Sequence, residues 1–432
     1  MPMTATRFTR SSTRLMSVVR SSRCARHGAG AVVSFSLTKI LPGNHHWSPL
    51  MRMLVLGAGL QGSACAFDLL NEPAVSDVTI ADVHVGALPP FLQQRADARL
   101  HPIALDVRDE AAVRAAFSRC DSVLSAIPYY FNASLARLAV ECGVHFADLG
   151  GNTRIVQEQK QLHEAARVKG ISIIPDTGLA PGMVNVIAQH GIDQFDTVEA
   201  VKLFVGGLPQ APEPPLGYQI AYSIEGMVDY YTTPSLVVRD GQPATVSALS
   251  ELESVTFGDG VGTLEAFHTA GGLSTMVYRY AGKIPVMEYK TLRYPGHAAI
   301  MRAIRDLGLL DTAEVDVKGQ RVSPRDVFVK VAGDHLRKGK PDLVALRVTV
   351  TGRREGRRET RAWEVVDRYD AEHGISAMMR TTGYTLSITG QLQAAGAIAP
   401  GVHTPDEILP ATRYFDMLAS RGIAVREVRS AH

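Results

Sequence analysis

Residues 53–62, Met-Leu-Val-Leu-Gly-Ala-Gly-Leu-Gln-Gly, decide the fold. The apolar run Met53–Leu56 reads as a buried parallel strand. It leads into Gly57, Gly59 and Gly62, spaced G-x-G-x-x-G, and then into a helical stretch over Ser63–Leu70. In such a turn Gly57 permits the tight bend, Gly59 lets a pyrophosphate approach the backbone, and Gly62 lets the helix pack on the strand. The helix N-terminus then faces the phosphates. Asp82, twenty residues past Gly62, closes a second short strand, Val78–Ala81. A carboxylate there accepts both ribose hydroxyls and repels a 2′-phosphate. Dinucleotide binding is expected, with NAD favoured over NADP. The alternative is a glycine-rich turn without a ligand.

Working outward, strands and helices alternate to about residue 178. Strands are expected at His101–Asp106, Ser122–Ile127, His145–Leu149 and Ile171–Pro175, with helices at Glu110–Phe117, Ala133–Cys142 and Ile155–Lys169. Six strands separated by helices make a doubly wound parallel sheet, a Rossmann-type α/β domain. Ligands of such sheets lie beyond the carboxyl ends of the strands. That rule singles out Asp106, Ser125–Pro128, Asp148–Gly151 and Asp176–Gly178. The cofactor-binding set is therefore Gly57, Gly59, Leu60, Gln61, Gly62, Asp82, Asp106, Ser125, Ile127 and Gly150.

From Val198 the strands lengthen and alternate, with hairpin turns at Asp240-Gly241 and Asp259-Gly260 and a proline-rich loop over Pro209–Pro215. Ala345–Thr351 and Arg361–Tyr369 read as a hairpin around a charged turn, Gly352–Thr360. This predicts a second, α+β domain of mostly antiparallel strands over 179–378, beside a nucleotide domain over 51–178. Met379–Ala395 fits either domain.

The chain has 432 residues, 46% of them hydrophobic, and a formal charge of +2. Residues 1–50 hold seven Lys or Arg and no acid; without them 38 basic residues face 43 acidic ones, a net of −5. The body has no basic stretch suited to nucleic acid. Residues 1–50 resemble a transit peptide, or sequence upstream of the true start at Met51 or Met53; the second reading is preferred, and a disordered leader is expected. Its apolar stretch Ala31–Leu37 is too short to span a bilayer. Cys24, Cys65, Cys120 and Cys142 form no C-x-x-C pair, so neither a disulfide framework nor a metal site is expected. A cytoplasmic protein without membrane or nucleic-acid partners follows.

Three polar clusters interrupt apolar stretches of the second domain. Glu225 and Asp229 are four apart on one helical face; a solvated surface is the plainer account. His268 precedes Thr269 and a glycine pair in a loop suited to a ligand, although a lone histidine is more often a satisfied core residue. Lys290, Arg293 and Tyr294 offer a cationic site for a carboxylate, against a plain charged strand. A fourth cluster, Asp176–Asn185, reads as a structured turn between domains.

Taken together, these segments resemble the saccharopine dehydrogenase family, and within it the bacterial L-lysine 6-dehydrogenases. The likeness rests on Val55–Gly62, Asp148–Gly151, Ile174–Met183, Pro212–Leu216, Ser223–Gly226, Leu264–Gly272, Glu288–Tyr294 and Arg380–Thr382. The glycine fingerprint is shared with many families; Glu-Pro-Pro-Leu, Phe-His-Thr and Tyr-Lys-Thr-Leu-Arg-Tyr are more specific. The resemblance implies NAD-dependent oxidative deamination of the ε-amine of L-lysine to the 6-semialdehyde, which cyclises. It also implies that a stretch of about 379–420 returns to the nucleotide domain.

Chemistry, rather than the resemblance, supplies the roles. His268 is the expected base and Glu225 the anion for the α-ammonium, with Glu225 next in line as base. Arg293 or Lys290 would grip the α-carboxylate, and Tyr294, Asp229 and Tyr130 complete the substrate set. Alternatives are a saccharopine- or carboxynorspermidine-type dehydrogenase of secondary amines and a non-catalytic NAD-binding regulator. A nucleotide-dependent methyltransferase would not need the large second domain. A small-molecule substrate and a homo-oligomer are expected.

Overall fold

The computed structural model describes residues 50–86, 88–220 and 224–429. Residues 1–49, with Cys24, and also Tyr222 and Ser223 lie outside the described residues. No helix among the described residues is long and apolar enough to cross a membrane.

The first sheet is built from β1 (Met51–Leu56), β2 (Val75–Asp82), β3 (Leu100–Ala104), β4 (Ser122–Ser125), β5 (His145–Asp148) and β6 (Ser172–Ile174). All pair in parallel, in the order β6-β5-β4-β1-β2-β3. A seventh strand, Gly401–Val402, adds to the β6 edge. The order reverses beside β1, which puts the glycine loop at the crevice where doubly wound sheets bind ligands.

Helix α1 (Leu60–Leu69) follows the glycine loop and is buried on nearly every face. Gly57 adopts φ +97°, and a Cβ there would press on Ala126 O; a Cβ at Gly62 would strike Gly57 O. Only glycine allows strand and helix to approach so closely. The long helix Ala377–Ala394 lies on α1 and across β4 and β5. Its buried polar side chains are satisfied: Thr385 Oγ1 donates to Thr177 O at 2.7 Å, and Gln393 Nε2 to Phe146 O at 3.0 Å.

The second sheet runs in the order Glu253–Phe257, Gly262–His268, Val286–Arg293, Thr197–Pro209, Asp342–Arg354, Arg357–Arg368, Arg426–Arg429. Every neighbouring pair is antiparallel except Val286–Arg293 with Thr197–Pro209. The expected architecture, a Rossmann-type sheet with a second domain of mostly antiparallel strands, is the one observed.

Two local expectations need correction. The helix expected over Ile155–Lys169 is two, Thr153–Lys160 and His163–Lys169. The amides of Gln161 and Leu162 turn back to carbonyls three residues earlier and tighten the chain between them. The charged segment Gly352–Thr360 is mostly ladder, because strand pairing continues to Arg354 and Arg357. The turn is Glu355-Gly356, with φ +50° and +76°, the left-handed pair that a two-residue hairpin demands.

Candidate active site

A cavity of about 280 Å³ opens between the two sheets. Gln61 and the strand-end segments Leu149–Gly151 and Gly178–Pro181 line it from one side. Val205, Tyr230, Thr269, Tyr289, Thr291 and Arg293 line it from the other, with Met378 and Thr382 between. The glycine loop, the ends of β5 and β6 and the second domain therefore converge on one cleft.

On the nucleotide side, Gly59 leaves open space where a Cβ would stand. Asp82 at the end of β2 accepts the Ala58 amide at 2.8 Å and the His84 amide at 3.0 Å. These two contacts fix the carboxylate beside the loop and leave lone pairs for ribose hydroxyls. The glycine loop, Asp82 and the N-terminus of α1 fit a dinucleotide. Asp106 lies beyond the end of β3 and pairs with Arg108 at 2.6 Å. The hydroxyl of Ser125 donates to Asn132 Oδ1 at 2.8 Å, Ile127 packs beside Gly57, and Gly150 lines the cleft.

Alternation along one strand sorts the substrate residues. In Val286–Arg293, Tyr289, Thr291 and Arg293 face the cleft, so Glu288 and Lys290 face away. Arg293 is 4% exposed, and its guanidinium lies 4.7 Å from the Tyr218 ring centroid. Its Nε donates to Tyr231 Oη at 3.3 Å and its Nη1 to Leu292 O at 2.8 Å. Tyr231 Oη stands 2.8 Å from His297 Nε2, and His297 Nδ1 stands 3.0 Å from Leu216 O. Burial holds His297 neutral, its pKa pushed down to about 3, so Nδ1–H donates to the carbonyl and Nε2 accepts from Tyr231. This chain sets the direction of Arg293.

The remaining expected substrate residues are elsewhere. Lys290 Nζ contacts Glu253 at 2.6 Å and Glu251 O at 2.7 Å. Tyr294 turns away and donates to Pro209 O. Asp229 is exposed and pairs with Arg325 at 2.6 Å; Glu225 and Tyr130 are exposed, and none of the three lines the cavity.

His268 is fully buried on the sheet face away from the cleft, opposite Lys290 in the ladder. Its Nε2 lies 3.1 Å from Glu251 and 3.9 Å from Glu288. Those three side chains could hold a metal, but the Arg239 guanidinium stands among them. Its Nη2 is 2.9 Å from Glu251, 2.6 Å from Glu288 and 3.5 Å from His268. A cation is thus already supplied by the chain, and burial pushes the His268 pKa down.

Two carboxyls at the ends of adjacent strands, singled out by the strand-end rule but left without a role in the sequence, are Asp148 and Asp176. Asp148 is fully buried and accepts from Gly150 N at 2.7 Å and Gln159 Nε2 at 2.6 Å. Asp176, 2% exposed, has φ +63° and accepts from the Ser274 hydroxyl of the second domain. Burial pushes Asp148 up to about 6 and Asp176 up to about 7. The strand-end rule points to both; their burial is not written in the sequence. Thr269 and Thr291, hydroxyl to hydroxyl at 2.7 Å on the cleft wall, were masked by His268 and Lys290 beside them.

Two family models match the chain. The saccharopine dehydrogenase NADP binding domain matches residues 53–174, and the saccharopine dehydrogenase C-terminal domain matches residues 178–423. A Schizosaccharomyces pombe protein, saccharopine dehydrogenase (NADP(+), L-glutamate-forming), is 24% identical over 458 residues, covering 87% of this chain and 98% of that protein. Apo histidine-tagged saccharopine dehydrogenase (L-Glu forming) from Saccharomyces cerevisiae superposes with a TM-score of 0.74 at 20% identity. That match covers 88% of this chain and all of the other. Homospermidine synthase of Legionella pneumophila in complex with NAD gives 0.61 at 10% identity, over 88% of this chain and 91% of its own. At these identities the structural likeness is one of fold.

Proposed function

This chain belongs to the saccharopine dehydrogenase family and is an oxidoreductase, and on that premise we propose that it oxidises the ε-amine of L-lysine with NAD. The net change is R–CH2–NH3+ with NAD+ and water to R–CHO, NH4+, NADH and H+. The bound dinucleotide supplies the hydride acceptor, and Gly57–Gly62, Asp82 and Gln61 would hold it.

One observation carries the substrate reading. Arg293 is the single charged side chain among the described residues lining the cleft. A guanidinium held by Tyr231 and Tyr218 suits one substrate carboxylate in a defined orientation. The hydroxyls of Thr269, Thr291 and Tyr230 offer neutral partners for the α-ammonium. Asp82 favours NAD, since a carboxylate there opposes a 2′-phosphate. A homo-oligomer belongs to the same reading; Leu307, Val315, Val317, Val327 and Val331 leave apolar surface exposed in one stretch of the second domain.

The second reading is a secondary-amine dehydrogenase using NADP, favoured by the name of the Schizosaccharomyces pombe relative. Such a substrate joins two amino acids and brings several carboxylates, for which one arginine is a poor match. A panel of amines, amino acids and secondary amines, offered to the purified chain with NAD and with NADP, separates the two. The proposal expects NADH formation with L-lysine; reduced cofactor only with NADP and a secondary amine would replace it.

A further inference from the structure

With His268 and Glu225 away from the cleft, the proton chemistry needs another group. We propose that the buried carboxyl pair Asp148–Asp176 is the proton store of this active site, with Asp176 taking the proton that the substrate ammonium must lose. The inference rests on the amine-oxidation reading above.

The geometry is specific. β5 and β6 are hydrogen-bonded neighbours, so their carboxyl ends bring Asp148 and Asp176 close enough to feel each other's charge, buried beneath the Leu149–Gly151 and Gly178–Pro181 segments that line the cleft. Thr177 ties the ends together, its amide and hydroxyl both donating to Asp148 O at 2.8 Å. The two oxygens of Asp148 are taken by Gly150 N and Gln159 Nε2. Asp176 differs. Its Oδ2 accepts from Ser274 and the Gly151 amide approaches the carboxyl, yet its buried Oδ1 makes no hydrogen bond of good geometry.

A buried carboxylate oxygen without a well-aligned donor is costly, and a catalytic role is one of the explanations such a group calls for. That oxygen lies against Gly150, which lines the cleft at φ +71°; a Cβ at this position would stand on Oδ1. The backbone of Asp176 itself sits in the left-handed region, a conformation kept where a side chain must be aimed. Ser274 reaches Asp176 from the loop after Gly262–His268, whose Thr269 and Ala270 line the same cleft. The second domain thus touches both the substrate wall and the proton acceptor through one loop.

The charges around Asp176 suit a proton store. It is faced by Asp148 from β5, by Tyr230 from the helix Ile224–Thr232, and by Asp406, itself paired with Arg279 at 2.8 Å. Like charge and burial hold a proton on the pair near neutrality, which is what exchange with an amine requires. In the forward direction the ammonium N–H proton passes to Asp176 Oδ1, directly or through one water, and the amine lone pair is freed. After hydride loss and water addition, with the water's proton leaving to solvent, Asp176 returns its proton to the departing nitrogen. The carbon–nitrogen bond then breaks with its electron pair going to nitrogen, the hydroxyl proton passes to the Asp176 carboxylate as the aldehyde forms, and the departing ammonia takes that proton and leaves as ammonium.

The test compares the full chain with D176N, D176E and D148N. D176N should lower kcat for lysine oxidation by about two to four orders of magnitude and abolish its acidic limb, while Kd for NAD stays the same. D176E should recover part of kcat. Infrared spectra of wild type with 13C-labelled aspartate should show protonated carboxyl persisting above about pH 5, its intensity reduced in D176N and again in D148N. If D176N keeps kcat and the acidic limb, or all aspartates of the wild type are ionised by that pH, the proposal is overturned. Failure of the wild type to oxidise any amine would instead overturn the functional reading, with the carboxyl signal read independently of it.

Discussion

His268 and Thr269 are consecutive residues on opposite faces of one sheet. His268 lies in the ion network of Glu251, Glu288 and Arg239, whereas Thr269 faces the cleft and meets Thr291 at 2.7 Å. One step along a strand separates a position in the ion network from one that faces the cleft. His268→Asn should therefore keep kcat within a few-fold of wild type. It should cost about 1–3 kcal/mol of stability, because Glu251 and Arg239 lose a buried partner. Steady-state rates beside urea denaturation check both parts; a collapse of kcat with unchanged stability would return the histidine to catalysis.

Arg293→Ala should raise KM for lysine by about 10–100-fold, the weight of one or two charge-assisted hydrogen bonds, with a smaller effect on kcat. A diamine lacking the carboxylate should be oxidised equally by variant and wild type. Tyr231→Phe should move KM in the same direction by less, since it loosens Arg293 without removing it.

Much of this arrangement is legible in the sequence, and the exceptions share a cause. The glycine spacing and the apolar strands before it specify the first sheet, because backbone approach and burial depend on local residue type. Asp240-Gly241 and Asp259-Gly260 likewise mark real hairpins. Side-chain direction in the second domain depends on which face of a strand meets the cleft, and that is set by the other domain. Lys290 and Arg293 look alike in sequence; three positions apart, they point to opposite faces. The buried helix Ala377–Ala394 hides differently: its sequence fits either domain, and its Thr, Ser and Gln side chains bond to carbonyls in and after the strands of the first sheet and to one another.

Stability should depend on pH through Asp176. Its folded pKa is raised above the unfolded value, so the native state holds a proton that the unfolded chain has lost. Stability contributed by the protonated form is present at low pH and falls as pH rises from about 4 to about 7. Asp176→Asn removes that slope. The variant should melt at a higher temperature than wild type above neutrality, and the gap should shrink toward pH 4, in thermal scans across that range.

The cofactor preference turns on Asp82. Wild type should favour NAD over NADP in kcat/KM by at least about tenfold, the scale of one unfavourable charge contact. Asp82→Ser with an introduced arginine at Val83 should narrow or reverse the ratio. Equal kcat/KM for the two dinucleotides in the wild type would remove Asp82 from this role.

The most direct measurement follows the nitrogen. The purified chain is given L-lysine labelled with 15N at the ε position together with NAD, and ammonium and NADH are quantified side by side. Oxidative deamination predicts labelled ammonium appearing in step with NADH, one for one. Label retained in an organic amine, or no NADH from lysine while a secondary amine reduces NADP, would contradict the account.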